Sequence, residues 1–434
     1  MQQNVRLVPD QTVDLTIALF FRSAVAAYEV LIAELHAGSP IDAIRQSLEK
    51  NFPYVHLQEN GDTLHLHYVC KKGAKLEVVK FLVLLYPDSV KVQDRFKRLP
   101  LHYACENNAP LKAVEFLVRK FPDSVKVKDE DERLPFHFAC REKAPFETLK
   151  FLVQEYPDSV KVEDVYIEQR RLALHQVCAN NAPPEVIEFF VQQYPHAVTV
   201  TDNYHRLPLH HACENNGPLE VVKLLVQQYP DSVMVKDYGN WLPLHLACMN
   251  NAPLNVVEFL VKTDPDSLKV KDHVERLPLH WACHNNAPLE ILKLLVQGYP
   301  DSVKVKNYYI KNKRLALHEL CLNNAPLDVI KFFVQQYPHS VKVTDSYDRL
   351  PLHLACENNG PLEVVKFLVQ QYPDSVKVED FCHWIPLYLA CENQSPLNVV
   401  EFLVEEYPAS VFFKGMDEIT NETFEYLFFI MNDF

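Results

Sequence analysis

Glycine is nearly missing from this chain: 8 residues among 434. A loop that cradles phosphate through its backbone is hard to build from so few glycines, and none of the patterns G-x-x-x-x-G-K-[ST], G-x-G-x-x-G or G-x-S-x-G occurs. Positive charge is also in deficit, with 43 Lys and Arg against 57 Asp and Glu and a net charge of −14. A polyanion such as DNA would be repelled on average, so nucleic acid is not the expected partner. Long apolar runs are missing too. The most apolar early stretch, 13–37, is broken by Asp14, Arg22, Glu29 and Glu34, which argues against a membrane span. The first residues, Met1 to Arg6, hold no basic cluster leading into an apolar core, so no secretory signal is read and a cytoplasmic protein is expected, with the nucleus as the other compartment.

What is abundant is proline, 30 residues, and it is periodic. The string Leu99-Pro100-Leu101-His102-Tyr103-Ala104-Cys105 recurs down the chain. Its histidine falls at His67, His102, His137, His175, His210, His245, His280, His318 and His353, and Tyr388 takes the next place. The spacings are 35, 35, 38, 35, 35, 35, 38, 35 and 35, which defines ten units over 63–417. A repeat array grows by adding units, so the length does not call for several globular domains.

One unit reads as follows. Pro100 suits the first turn of a helix, where a missing N–H costs nothing. Leu101, Ala104 and Cys105 share a face, and Asn107-Asn108 ends the helix, because Asn tolerates the left-handed conformation of a cap. Pro110 opens a second helix whose Leu111, Val114, Leu117, Val118 and Phe121 recur at helical spacing. Pro122 stops it. Val125 and Val127 alternate with Lys126 and Lys128, which predicts a short extended arm, and Asp129 to Arg133 turn back toward the next unit.

These residues resemble the ankyrin repeat. Leu350-Pro351-Leu352-His353-Leu354-Ala355, the Val- and Leu-rich 362–368 and the turn residue Asp380 follow that family's pattern. The resemblance implies an all-α fold, an ankyrin-type repeat solenoid of paired antiparallel helices with hairpin-like connecting arms. The departures are a 35-residue period against about 33 in the family, Leu for the family's Thr before Pro, so that its Thr–His hydrogen bond does not carry over, and Lys97, Glu132, His205, Glu275 and Asp348 for its turn glycine. A looser or reshaped tip is expected from the last.

A second period lies above the first. The units near Arg171 and Arg314 share Ala173 and Ala316 where others have Pro, and both follow three-residue insertions, at 165–169 and 308–312. They lie 143 residues apart, which reads as block duplication or as two projecting fingers. At the ends, 1–62 is expected to form a capping degenerate unit and 418–434 a capping helix, or else a partner-binding one.

The His and Cys rows invite a metal hypothesis, but both track the repeat. Stacked helices about 8–10 Å apart also hold neighbouring cysteines beyond the roughly 7 Å Cα separation of a disulfide. A structural role is expected, with no metal and no cofactor. The periodic Asp and Arg residues, such as Asp129 and Arg133, are expected to form an exposed or half-buried ladder worth little per pair.

The resemblance implies binding through hairpin tips and the concave face of the first helices. Position by position this selects Tyr204, Tyr238, Trp241 and Tyr347, with Phe96, Phe381 and Trp384, and Tyr166, Tyr308 and Tyr309 in the long fingers. On the first helices the residue after Cys varies irregularly, which brings in Arg141, Met249 and His284. A bland reading has the tip rings stacking on Arg side chains of neighbouring tips. The expected function is a monomeric, non-enzymatic scaffold for a protein partner, against a structural spacer or membrane adaptor and a His/Cys metal enzyme.

Overall fold

The computed structural model describes residues 65–73, 75–165, 170–308 and 312–412. The capping segments 1–62 and 418–434, together with Tyr166 and Tyr309, lie outside the described residues.

Each unit consists of a seven-residue helix, a ten-residue helix and a five-residue 3₁₀ turn, as in Pro100–Glu106, Leu111–Lys120 and Pro122–Lys126. Among the described residues there are ten such pairs, from His65–Lys71 to Leu397–Glu406, and the fold is all-α. Proline sets the boundaries. It stands at the first position of most first helices and at the N-cap of most second helices, where φ near −65° is needed and no amide hydrogen bond is lost. The first helix ends as the paired asparagines suggest: Asn108, Asn216, Asn251 and Asn324 have φ between 50° and 57°.

The described residues fall into two compact units. One runs up to Asn180 and takes in Phe189–Ala197; the other comprises Asn181–Glu188 and the residues from Val198 onward. In the first unit, helices His65–Lys71, Pro100–Glu106, Pro135–Arg141 and Ala173–Ala179 stack in chain order. In the second, the helices from Pro208–Glu214 to Pro386–Glu392 do the same. Leu101, Ala104 and Cys105 of one such helix are buried, and so are Val114, Leu117 and Val118 of its partner. At roughly 1.5–3 kcal/mol for each large aliphatic side chain, this face holds the pair together.

One expectation is overturned. The segment after the second helix is not an extended arm: Pro122 to Lys126 wind into a 3₁₀ turn, and only Val127 is extended, at φ −73° and ψ 128°. Pro122 starts the turn with its fixed φ. Burial still alternates, with Val125 buried, Val127 half-buried and Lys126 and Lys128 exposed, but Val125 and Lys126 lie in the turn, where the Lys126 ammonium donates to Asp123 at 3.0 Å.

Candidate functional site

The tip of most units is built on one buried aspartate. Asp94 accepts through Oδ1 from the amides of Phe96 and Arg98, both at 2.9 Å. Asp202, Asp237, Asp345 and Asp380 repeat the arrangement. The residue at the turn's third step takes the left-handed conformation, with φ 57° at Lys97, 61° at Glu132, 58° at His205 and 59° at Glu275. An L-residue there costs about 1–2 kcal/mol. The tips are therefore not loosened by the missing glycines; the carboxylate holds the same turn without them.

The other oxygen of this aspartate takes a donor from the first helix. Tyr103 Oη donates to Asp94 at 2.6 Å, His211 Nε2 to Asp202 at 3.0 Å, and Trp281 Nε1 to Asp272 at 2.9 Å. The sequence signal is a polar donor nine residues after Asp94, Asp202 and Asp272; Asp129, Asp237, Asp345 and Asp380 have Phe138, Leu246, Leu354 and Leu389 at that place. The Asp–Arg ladder is also more buried than expected. Asp129 and Arg133 are both buried and joined at 2.9 and 3.0 Å. Burial alone would raise the Asp129 carboxyl, but hydrogen bonds from the Arg133 side chain and amide hold it below its ordinary range.

The histidine row locks helix to tip. His102 Nδ1 accepts the Leu99 amide at 2.9 Å, so Nε2 carries the proton and donates to the Arg133 carbonyl at 3.3 Å. The amide of the residue before Pro thus replaces the family's threonine as the histidine's partner. His210, His245, His280 and His353 are bonded the same way, each to the following segment's carbonyls. Desolvation pushes His102, His210, His280 and His353 down to about 4. With both ring nitrogens engaged, these rings are built in as structure. The ladder cysteines are buried, with burial pushing the thiols of Cys70 and Cys213 up to about 12.

Asparagine side chains link units as well. Asn216 Nδ2 donates to the Asn250 carbonyl at 2.8 Å and Asn251 Nδ2 to that of Asn285 at 2.9 Å. The cap reading holds for the first Asn of most pairs, as in Asn250 Nδ2 to the Leu246 carbonyl at 3.0 Å, while Asn180 Nδ2 donates to the Cys140 and Arg141 carbonyls of the preceding unit. The second Asn is a staple to the next unit.

What remains exposed is aromatic. Tyr204 is 48% exposed and Tyr238 73%, and the Tyr238 amide donates to the Tyr204 carbonyl at 2.9 Å, which sets the two tips side by side. Phe381, 69% exposed, donates its amide to the Tyr347 carbonyl in the same way, also at 2.9 Å. Tyr308 is exposed and linked to the Val274 carbonyl at 3.0 Å. Trp241 is half-buried, 4.4 Å from the ring of Trp281, and supports the tip from beneath. The Arg349 guanidinium lies 5.1 Å from the Tyr347 ring, so that stacking comes from the ring's own tip and not from a neighbour.

The first-helix residues behave differently. Arg141 pairs with Glu106 at 3.3 Å and Glu142 at 2.9 Å, and its guanidinium lies 5.0 Å from the Phe138 ring. His284 Nδ1 lies 3.2 Å from buried Glu319. Met249 is half-buried. Arg141 and His284 are thus committed inside the repeat stack, while the tip rings are not.

A family model described as ankyrin repeats, in three copies, matches residues 66–164, 146–237, 174–272, 231–307, 279–380 and 317–414. This chain belongs to the ankyrin repeat family. Ankyrin repeats are protein–protein interaction modules, and the family is in general a non-enzymatic binding scaffold. The ankyrin repeat domain of Bcl-3, a member of the IkappaB protein family, is similar at 24% identity and a TM-score of 0.42, covering 54% of this chain and 98% of its own. A chain from the structure of the Bd0816 predatory endopeptidase of Bdellovibrio bacteriovorus in complex with immunity protein Bd3460 is similar at 17% identity and a TM-score of 0.41, covering 46% and 98%. No curated protein matched the sequence. Among the described residues no ankyrin helix is long and apolar enough to cross a membrane.

Proposed function

We propose that this ankyrin chain holds a protein partner on its aromatic hairpin tips. The supporting observation is the hydrogen bond from the Tyr238 amide to the Tyr204 carbonyl, which places two exposed rings on adjoining tips. Exposed tyrosines on a rigid support are the side chains that protein interfaces use as anchors. Tyr308 and Tyr347, exposed in the same compact unit, are further contact positions, and Tyr166 and Tyr309, outside the described residues, are proposed as contacts as well. The half-buried Trp241 contributes by holding its tip. On the first helices, Met249 is the position left for contact, while Arg141 in the first compact unit and His284 in the second are each held by ion pairs within their own stack. The scaffold comprises ten units over 63–417 with caps at 1–62 and 418–434, and it works as a cytoplasmic monomer without catalysis or cofactor.

The test is a comparison of the full chain with its Y204A/Y238A variant as immobilised bait in a cell extract. Proteins retained by the parent and lost from the variant, at equal melting temperature, support the reading. Equal retention by both removes the tips from it.

A further inference from the structure

The four-unit duplication is also visible in the exposed aromatics, within the second compact unit. Tyr204, Tyr238 and Trp241 recur 143 residues later as Tyr347, Phe381 and Trp384. Both sets have the same local build. The amide of the second aromatic bonds the carbonyl of the first at 2.9 Å in each case. The arginine after the first aromatic pairs with a glutamate of its own unit: Arg206 with Glu214 at 2.8 Å, Arg349 with Glu357 at 2.9 Å. The tryptophans differ in their support: Trp241 packs on Trp281 of the next unit's first helix at 4.4 Å, and Trp384 on Tyr388 of its own unit's first helix at 4.7 Å.

Duplication alone does not account for this pattern. The two blocks have since diverged at the tips: Asn203 against Ser346, His205 against Asp348, Lys236 against Glu379, Gly239 against Cys382, Asn240 against His383. The exposed aromatics stand unchanged in character among these replacements. Nor does the turn need them. Other tips fill the place of Tyr238 with Arg95, Glu130 and His273 and that of Tyr204 with Asp131 and Val274, while Tyr308 and Phe96 keep a ring at these two places. Aromatic character is therefore kept twice where folding does not ask for it. The flanking charge, in contrast, changes sign. The first ridge has exposed Lys236 beside its rings, the second exposed Asp348 and exposed Glu379, the latter hydrogen-bonded to His383 at 2.7 Å.

We infer that the chain carries two docking ridges for one partner polypeptide, which presents an apolar anchor twice, flanked by acidic residues at the first ridge and by basic residues at the second. The shared anchor follows from the retained rings, and the order of the flanks from complementarity to Lys236 and Glu379. This rests on the reading that the tips bind protein and adds what they bind.

A random linear peptide library displayed on phage, panned on the immobilised full chain, tests it. The selected peptides are sorted on Y204A/Y238A and Y347A/F381A, each checked for an unchanged melting curve. Two groups are expected, each weakened about tenfold or more by one variant only, both holding an apolar anchor, the first rich in Asp and Glu and the second in Lys and Arg. K236E should shift selection at the first ridge toward basic peptides. One peptide of each group joined by a flexible linker should bind about tenfold tighter than either alone and fall back to single-site affinity on either variant. Tip-dependent peptides of one common charge, a K236E chain with unchanged preference, or no gain from joining would overturn the two-ridge inference and leave tip binding standing. If no peptide depends on either pair, both readings fall.

Discussion

Asn307 donates its side-chain N–H to Glu319 at 3.1 Å, and this reverses the pattern of the other tips. Where Asp94, Asp202 and Asp272 accept from Tyr103, His211 and Trp281, the second finger has an amide in place of the aspartate and a carboxylate in place of the donor. Both residues are buried. Glu319 is further held by Arg276 at 3.4 Å and His284 at 3.2 Å. Burial alone would raise its carboxyl, but the hydrogen bond from His284 and the charge of Arg276 bring it down to about 2.

N307D sets a second carboxylate against Glu319 in a site without water to screen it. The expected loss is about 3 kcal/mol, the scale of an uncompensated buried charge, read as a lower urea midpoint with unchanged slope. Adding E319Q to N307D restores the usual acceptor-and-donor arrangement and should recover much of that loss. A double variant no more stable than N307D would show that the exchange is incidental.

Acid should unfold the chain well above the carboxylate range. His102, His210, His280 and His353 have folded values near 4 against 6.5 for the free side chain, because burial disfavours the charged ring. Between pH 6.5 and 4 the unfolded chain binds protons that the folded chain does not, so stability rises with pH across that window. Each ring contributes about 3 kcal/mol over the full window. A few such rings match the roughly 5–15 kcal/mol that holds a folded domain. The melting temperature should fall steeply from pH 6.5 downward. A flat profile to pH 4 would contradict the geometry.

Gly298 stands opposite Leu268. A Cβ built on Gly298 would lie 2.4 Å from Leu268 Cδ1, and the equivalent pairs in other units are Gln228 with Val198 and Gln336 with Val303. The larger leucine is matched by the missing side chain. G298Q alone should destabilise by about 1–3 kcal/mol, as overpacking does. L268V added to G298Q should return most of it. Thermal melts of the four chains decide the coupling.

Of the eleven cysteines, ten are buried and Cys382 is exposed. A thiol reagent added to the native protein should label one equivalent, and C382S should abolish that labelling. In denaturant all eleven should react. Rapid native labelling of more than one thiol would mean that the first-helix stack opens.

The helices, their proline boundaries, the asparagine caps and the apolar core face were all legible in the sequence, because each rests on chemistry within a few residues and recurs in most of the units. The insertion positions and the ladder role of His and Cys were legible for the same reason. What a residue meets in the next unit was not. Arg141 and His284 looked like recognition residues for being irregular, yet Glu106 and Glu319, 35 residues away, draw them into the stack. The turn positions without glycine looked weak, yet the buried carboxylate of Asp94 and its counterparts holds them. Local sequence determined the repeat and its elements, since backbone propensity and apolar spacing act at short range. Only the tertiary structure decided which polar side chains are spent internally and which rings stay free at the tips, since burial and hydrogen-bond partners are set by neighbouring units that the local sequence does not contain.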